Sequence, residues 1–116
     1  ILVVEDEEDL RTLYKEQLEM IGYKVTTCSN GQEALSVIKR KPTYFDLVLT
    51  DHSMPGITGK DLAIEILSIQ PNLPIILATG YADLMSIDEM KSIGIKKCLI
   101  KPIKIDELNE TIHHCL

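Results

Sequence analysis

A chain of 116 residues, 45% of them apolar, is the size of one domain and can bury a real core. A net charge of −6 argues against a nucleic-acid partner for this domain, since phosphate contacts need a basic surface. No apolar run approaches a membrane span, nothing resembles a signal peptide, and no membrane contact is expected. The three cysteines, Cys28, Cys98 and Cys115, form no CxxC pair and are odd in number, so they read as reduced, mostly buried thiols of a cytoplasmic protein. The chain begins inside an apolar run without a Met, which points to a single domain, 1–116, cut from a longer protein.

Ile1–Val4 is the first predicted strand, and Glu5-Asp6-Glu7-Glu8-Asp9 follows it. Acids at a helix start favour the positive end of the dipole. Five in a row exceed what a cap needs, so the first two are read as a cation site. Leu10, Leu13, Tyr14, Leu18 and Ile21 recur at helical spacing and are expected to face a sheet, with Gly22 ending the helix. Tyr23–Cys28 is a more polar strand, suited to an edge. Asn30 and Glu33 form a capping box for a second helix whose buried face is Ala34, Leu35 and Ile38. Lys39-Arg40-Lys41-Pro42 closes it as a solvated end.

Leu47-Val48-Leu49-Thr50-Asp51 is too short for a helix and is bounded by turn residues, so it reads as a strand buried on both faces. The loop His52–Ile57 follows, and Thr58-Gly59-Lys60-Asp61 opens a third helix carried by Leu62, Ile66 and Ile69. Ile75–Ala78 is the fourth strand, ending on Thr79. After the loop Thr79–Asp83, a short helix around Ser86–Ile93 starts on the capping box Ser86…Glu89 and stops at Gly94. Its apolar face is weak, and it is expected to be the least firmly packed. Cys98–Ile100 is the fifth strand, ending on Lys101. The last helix, near Lys104–Cys115, buries Ile105, Leu108 and Ile112. Strands alternating with helices through short connections give an α/β fold with a parallel sheet covered on both faces.

Parallel strands bring their carboxyl ends to one edge, where such sheets build their sites. Glu5, Asp6, Asp51, Thr79 and Lys101 would converge there. The three carboxylates offer hard oxygen ligands, which suit Mg²⁺ and leave a position for a phosphoryl oxygen. Thr79 can hydrogen-bond that phosphoryl group and Lys101 can pair with it as a point charge. The combination reads as a phosphoryl-transfer site with Asp51 as the nucleophile, forming an acyl phosphate. His113-His114-Cys115 is read as a surface helix end, because adjacent helical positions point in different directions. His52 is read as an exposed loop residue tuning access.

Val3-Val4-Glu5-Asp6-Glu7, Thr50–Gly59, Ala78-Thr79-Gly80 and Ile100-Lys101-Pro102 closely resemble the receiver domain of two-component response regulators, in order and spacing over the whole chain. The wording around Leu77–Asp83 resembles receivers at the C-terminus of hybrid sensor histidine kinases most. The resemblance implies a flavodoxin-like sheet of five parallel strands, order 2-1-3-4-5, flanked by five helices. It implies that Asp51 takes a phosphoryl group from a histidine kinase or phosphotransfer domain; both a covalently linked kinase or output domain and a free regulator are compatible with it. Glu5, Asp6, Asp51 and the Ser53 backbone carbonyl would surround Mg²⁺, and the Lys101–Pro102 bond would be cis. Ser53 and Tyr81 stand where the family tunes the lifetime of the phosphoryl group. Output would run through Thr79 to the surface of the fourth helix, fifth strand and fifth helix. Two departures stand out. Glu5 replaces the commoner Asp, and Cys98 stands where many receivers carry an aromatic switch residue.

Three other readings compete. A haloacid-dehalogenase-type phosphatase also phosphorylates an Asp, but needs a second acid two residues on, where this chain has Ser53. A flavin-binding module would hold a phosphate after the first strand, where Glu5–Asp9 would repel it. A degenerate receiver used only for docking would not need the intact Asp51, Thr79 and Lys101. A signalling domain whose only chemistry is its own phosphotransfer and autodephosphorylation is therefore expected.

Overall fold

The computed structural model describes residues 1–80 and 86–116. Five parallel strands, β1 (Leu2–Val4), β2 (Thr26–Cys28), β3 (Val48–Asp51), β4 (Ile75–Thr79) and β5 (Lys97–Ile100), lie in the order β2-β1-β3-β4-β5. They alternate with α1 (Glu8–Met20), α2 (Gly31–Arg40), α3 (Gly59–Ile69), α4 (Ile87–Ile93) and α5 (Ile105–Cys115). β1 is flanked by β2 on one side and β3 on the other, so the connections diverge at the β1/β3 boundary and leave a crevice at the carboxyl ends.

Strand alternation divides the core into two layers. Leu2, Val4, Val48, Ile75 and Leu77 pack with Ala34 and Ile38 of α2 and Leu62, Ala63 and Ile66 of α3. Val3, Leu49, Ile76 and Ala78 point the other way, against Tyr14 and Leu18 of α1 and Leu108 and Ile112 of α5. Each fully buried Leu or Ile contributes roughly 1.5–3 kcal/mol, so the central strands carry much of the stabilisation.

Local chemistry sets the element ends. Asn30 Oδ1 accepts from Glu33 N at 2.8 Å, but the Glu33 carboxylate takes the Ser29 hydroxyl instead of closing the expected box. Thr58 and Ser86 cap α3 and α4 through Asp61 N and Glu89 N, and the Glu89 carboxylate pairs with Lys60 at 2.7 Å. At the end of α1, Tyr23 N donates to Leu18 O and Gly22 N to Glu19 O, each at 3.1 Å.

Three further expectations need correction. Leu13 and Ile21 do not face the sheet: they are 45% and 42% exposed, because the buried line Leu10-Tyr14-Leu18 runs at a spacing of four and leaves them on its flank. The second strand begins at Thr26 rather than Tyr23, whose N–H is committed to the end of α1. Of the cysteines, Cys28 alone is fully buried, Cys98 and Cys115 being partly exposed on β5 and α5. As expected from its weak apolar face, α4 buries no residue completely.

Candidate functional site

The sheet delivers its polar residues to one edge by register. Asp51 ends β3 opposite Ala78, and Thr79 ends β4 opposite Ile100. The ladder runs one step further on both sides of the crevice: Glu5 N donates to Cys28 O at 3.1 Å and Lys101 N to Thr79 O at 2.9 Å. Glu5 and Lys101, 96 residues apart in sequence, therefore meet. Lys101 Nζ lies 2.8 Å from Asp51 Oδ1 and 3.1 Å from Glu5 Oε1.

Glu5, Asp51 and Thr79 are buried, whereas Asp6 is exposed at the rim. Burial pushes the Glu5 carboxyl up to about 6. The Glu7 backbone N–H opposes that shift, the Asp6 hydrogen bond and the Asp51 charge add to it, and Lys101 opposes it. Burial works against the Lys101 charge, but its hydrogen bonds to Asp51 and Glu5 outweigh it and its pKa is raised. The site thus holds more negative charge than one lysine balances.

One carboxylate oxygen from each of Glu5, Asp6 and Asp51 lies within 4.8 Å of the others. Three hard oxygen donors at that separation fit a small divalent cation, which would relieve the carboxylate crowding that adds to the effect of burial on Glu5. The Thr79 hydroxyl donates to Gly80 O at 3.2 Å. Ser53 is exposed, two residues past Asp51, and the Lys101–Pro102 bond is cis. Tyr81 and most of the loop Gly80–Asp83 fall outside the described residues. His52 is not the exposed residue expected. It is half-buried, and its Nδ1 is buried without a hydrogen-bond partner among the described residues. His113 and His114 are exposed and stand outside the acidic group.

Two neighbours of the site are not evident in the motif residues. Arg11 Nη1 donates to the Glu5 carbonyl at 2.9 Å, pinning the turn after β1 from the first turns of α1. In the sequence it is a cation two residues past the acidic run Glu5–Asp9. Tyr14, on the buried stripe, lies close enough to feel Lys101, Glu5 and Asp51.

The model of the response regulator receiver domain matches residues 1–113. The chain belongs to this family. The receiver is 34% identical over 113 residues to sporulation initiation phosphotransferase F of Bacillus subtilis, covering 97% of this chain and 89% of the relative. It is 33% identical over 112 residues to the sensor histidine kinase RcsC of Escherichia coli, covering 97% of this chain but 12% of that protein. Among solved structures, the response regulator TrrA of Thermotoga maritima, in complex with Mg²⁺–BeF, superposes with a TM-score of 0.86 at 37% identity, covering 99% of this receiver and 96% of that chain. The receiver is a signalling module of two-component systems, with the flavodoxin-like fold of its relatives. No helix among its described residues is long and apolar enough to cross a membrane.

Proposed function

We propose that Asp51 is the phosphoacceptor of this receiver, taking a phosphoryl group from a phosphohistidine of a histidine kinase or phosphotransfer domain. The observation that carries the reading is the buried Asp51 carboxylate, held at 2.8 Å by Lys101 inside a group of three acids. A carboxylate oxygen of Asp51 forms the new O–P bond as the N–P bond of the phosphohistidine breaks, and the imidazole leaves with the electron pair.

Lys101 fixes Asp51 before transfer and offers its charge to the phosphoryl oxygens afterwards. Glu5, Asp6, Asp51 and the Ser53 backbone carbonyl would hold Mg²⁺. When bound, Mg²⁺ supplies positive charge to the transferring oxygens. Thr79, next to Asp51 in the sheet, turns its hydroxyl toward the phosphoryl group. Ser53 and Tyr81 control the approach of water and so the lifetime of the acyl phosphate.

The domain acts on its own Asp51 and on no separate substrate, so its activity ends with phosphotransfer and autodephosphorylation. In this reading it works in the cytoplasm beside its kinase, within or next to a longer chain carrying a kinase or output domain. Output runs through Thr79 toward α4, β5 and α5, with Cys98 too small to act as a rotamer switch.

Incubation with acetyl phosphate and Mg²⁺, read by intact mass, should add one phosphoryl group to the wild type and none to Asp51→Asn. Equal incorporation in both would refute the assignment.

A further inference from the structure

The loop that follows Asp51 is held at more points than its connecting role requires. At its start, His52 N donates to Ala78 O at 2.9 Å, so the sheet fixes the entry. At its end, Gly59 N donates to His52 O at 2.9 Å and closes the loop on itself. The Gly59 Cα sits so close to the chain after β3 that an added Cβ would overlap the Asp51 carbonyl and stand 2.8 Å from His52 Cα. In between, Met54 is sunk into the core layer of α2 and α3.

The remaining anchor comes from across the molecule. A Cβ on Gly31, the first residue of α2, would overlap Ile57 Cγ2 and lie 3.4 Å from Ile57 Cβ. The branched methyl of Ile57 therefore occupies the place of the side chain that Gly31 lacks. Gly31 is itself fixed, since Asn30 caps α2 at this point. Beside the contact, an open cleft of about 340 Å³ runs between Asn30-Gly31-Gln32 and Pro55-Gly56-Ile57. The loop has room to move on that side once the seat is lost.

We propose that Gly31 and Ile57 are positioning residues for the phosphoacceptor site. The Ile57 methyl seated on the bare Cα of Gly31 sets where the loop from His52 to Thr58 lies. It thereby sets the distance from Asp51 to the Ser53 carbonyl that completes the cation site. The proposal rests on the phosphoacceptor reading for its functional consequence and on the packing alone for its structural one. The demand is for shape rather than for apolar volume: Val at position 57 keeps the branched methyl, whereas Leu keeps the size and moves the branch.

The test compares wild type, Ile57→Val, Ile57→Leu, Gly31→Ala and the double variant Gly31→Ala/Ile57→Ala. Each is measured for amide NMR shifts of Asp51, His52 and Ser53 without cation, for Mg²⁺ affinity by titration of those shifts, for phosphoryl incorporation from acetyl phosphate, and for thermal midpoint. Ile57→Val should behave as wild type. Gly31→Ala and Ile57→Leu should shift the three amides and weaken Mg²⁺ binding by about 10–100-fold, the range seen when groups that orient metal ligands are lost. The double variant, in which the new methyl enters the space vacated by Ile57, should recover most of both.

Wild-type amide positions and Mg²⁺ affinity in Gly31→Ala and Ile57→Leu would overturn the proposal. So would a double variant that regains thermal stability but not the amide positions and Mg²⁺ affinity. If the wild type takes up no phosphoryl group, the phosphoacceptor reading falls, while the cation-free amide shifts still decide whether the seat positions the loop.

Discussion

Lys101 balances two buried carboxylates, and removing it exposes the imbalance. Lys101→Met would leave Glu5 and Asp51 facing each other without their shared cation. Losing one partner of a wholly buried pair costs about 3–5 kcal/mol, and partial exposure of Lys101 brings the expected loss to about 2 kcal/mol. Thermal denaturation should show the loss in the absence of divalent cations and a partial recovery in Mg²⁺, which takes over the charge balance. An unchanged midpoint without Mg²⁺ would mean that the ion pairs are stabilised no better than their separated groups in water. The same residues were identifiable before folding because each ends an apolar run, while Arg11 was not. Its target is a backbone carbonyl, and a carbonyl has no sequence signature.

Among the helices, α4 stands apart. It buries no residue completely, is seven residues long, and is fastened by the Ser86 cap, the exposed Lys60–Glu89 pair and partial packing of Met90 and Ile93. Exposed pairs contribute little, so this element is the one most easily moved. Thr79 heads the segment that leads to it, and Cys98 lies on the neighbouring strand, half-buried against the same core layer. Beryllofluoride, standing in for the phosphoryl group, should shift the amides of Ser86–Ile93 in the wild type and in Cys98→Ala. The response should be lost in Thr79→Ala. A gap of a few kcal/mol between two positions of α4 is small enough for the ligand to bias. A response kept in Thr79→Ala and lost in Cys98→Ala would place the coupling on the wrong residue.

At the scale of the whole molecule, burial makes folding sensitive to alkali. Burial pushes the Cys28 thiol up to about 12 and the Tyr14 hydroxyl up to about 12, from ordinary values of 9 and 10. Between those limits the folded state keeps protons that the unfolded chain has released. Stability therefore falls as pH rises, starting near 9 for Cys28 and near 10 for Tyr14, by at most about 1.4 kcal/mol per pH unit for each group. Urea denaturation between pH 8 and pH 11 should show the decline, and Tyr14→Phe should flatten it above pH 10. A parallel decline in both proteins would show that Tyr14 contributes nothing to it.

The alternation of short apolar runs with 3.6-period segments was enough for the parallel α/β architecture. The carboxylates, hydroxyl and lysine at the run ends were enough to point to one sheet edge as the candidate site, because period and strand-end position are local properties of a chain. Burial is not local. That Leu13 and Ile21 lie outside the α1 contact, that Tyr23 is taken by a helix end, and that His52 is half-buried all depend on what packs from elsewhere. The same holds for Lys101 meeting Glu5 and for Ile57 filling the space above Gly31, since each contact joins segments brought together only when the sheet forms.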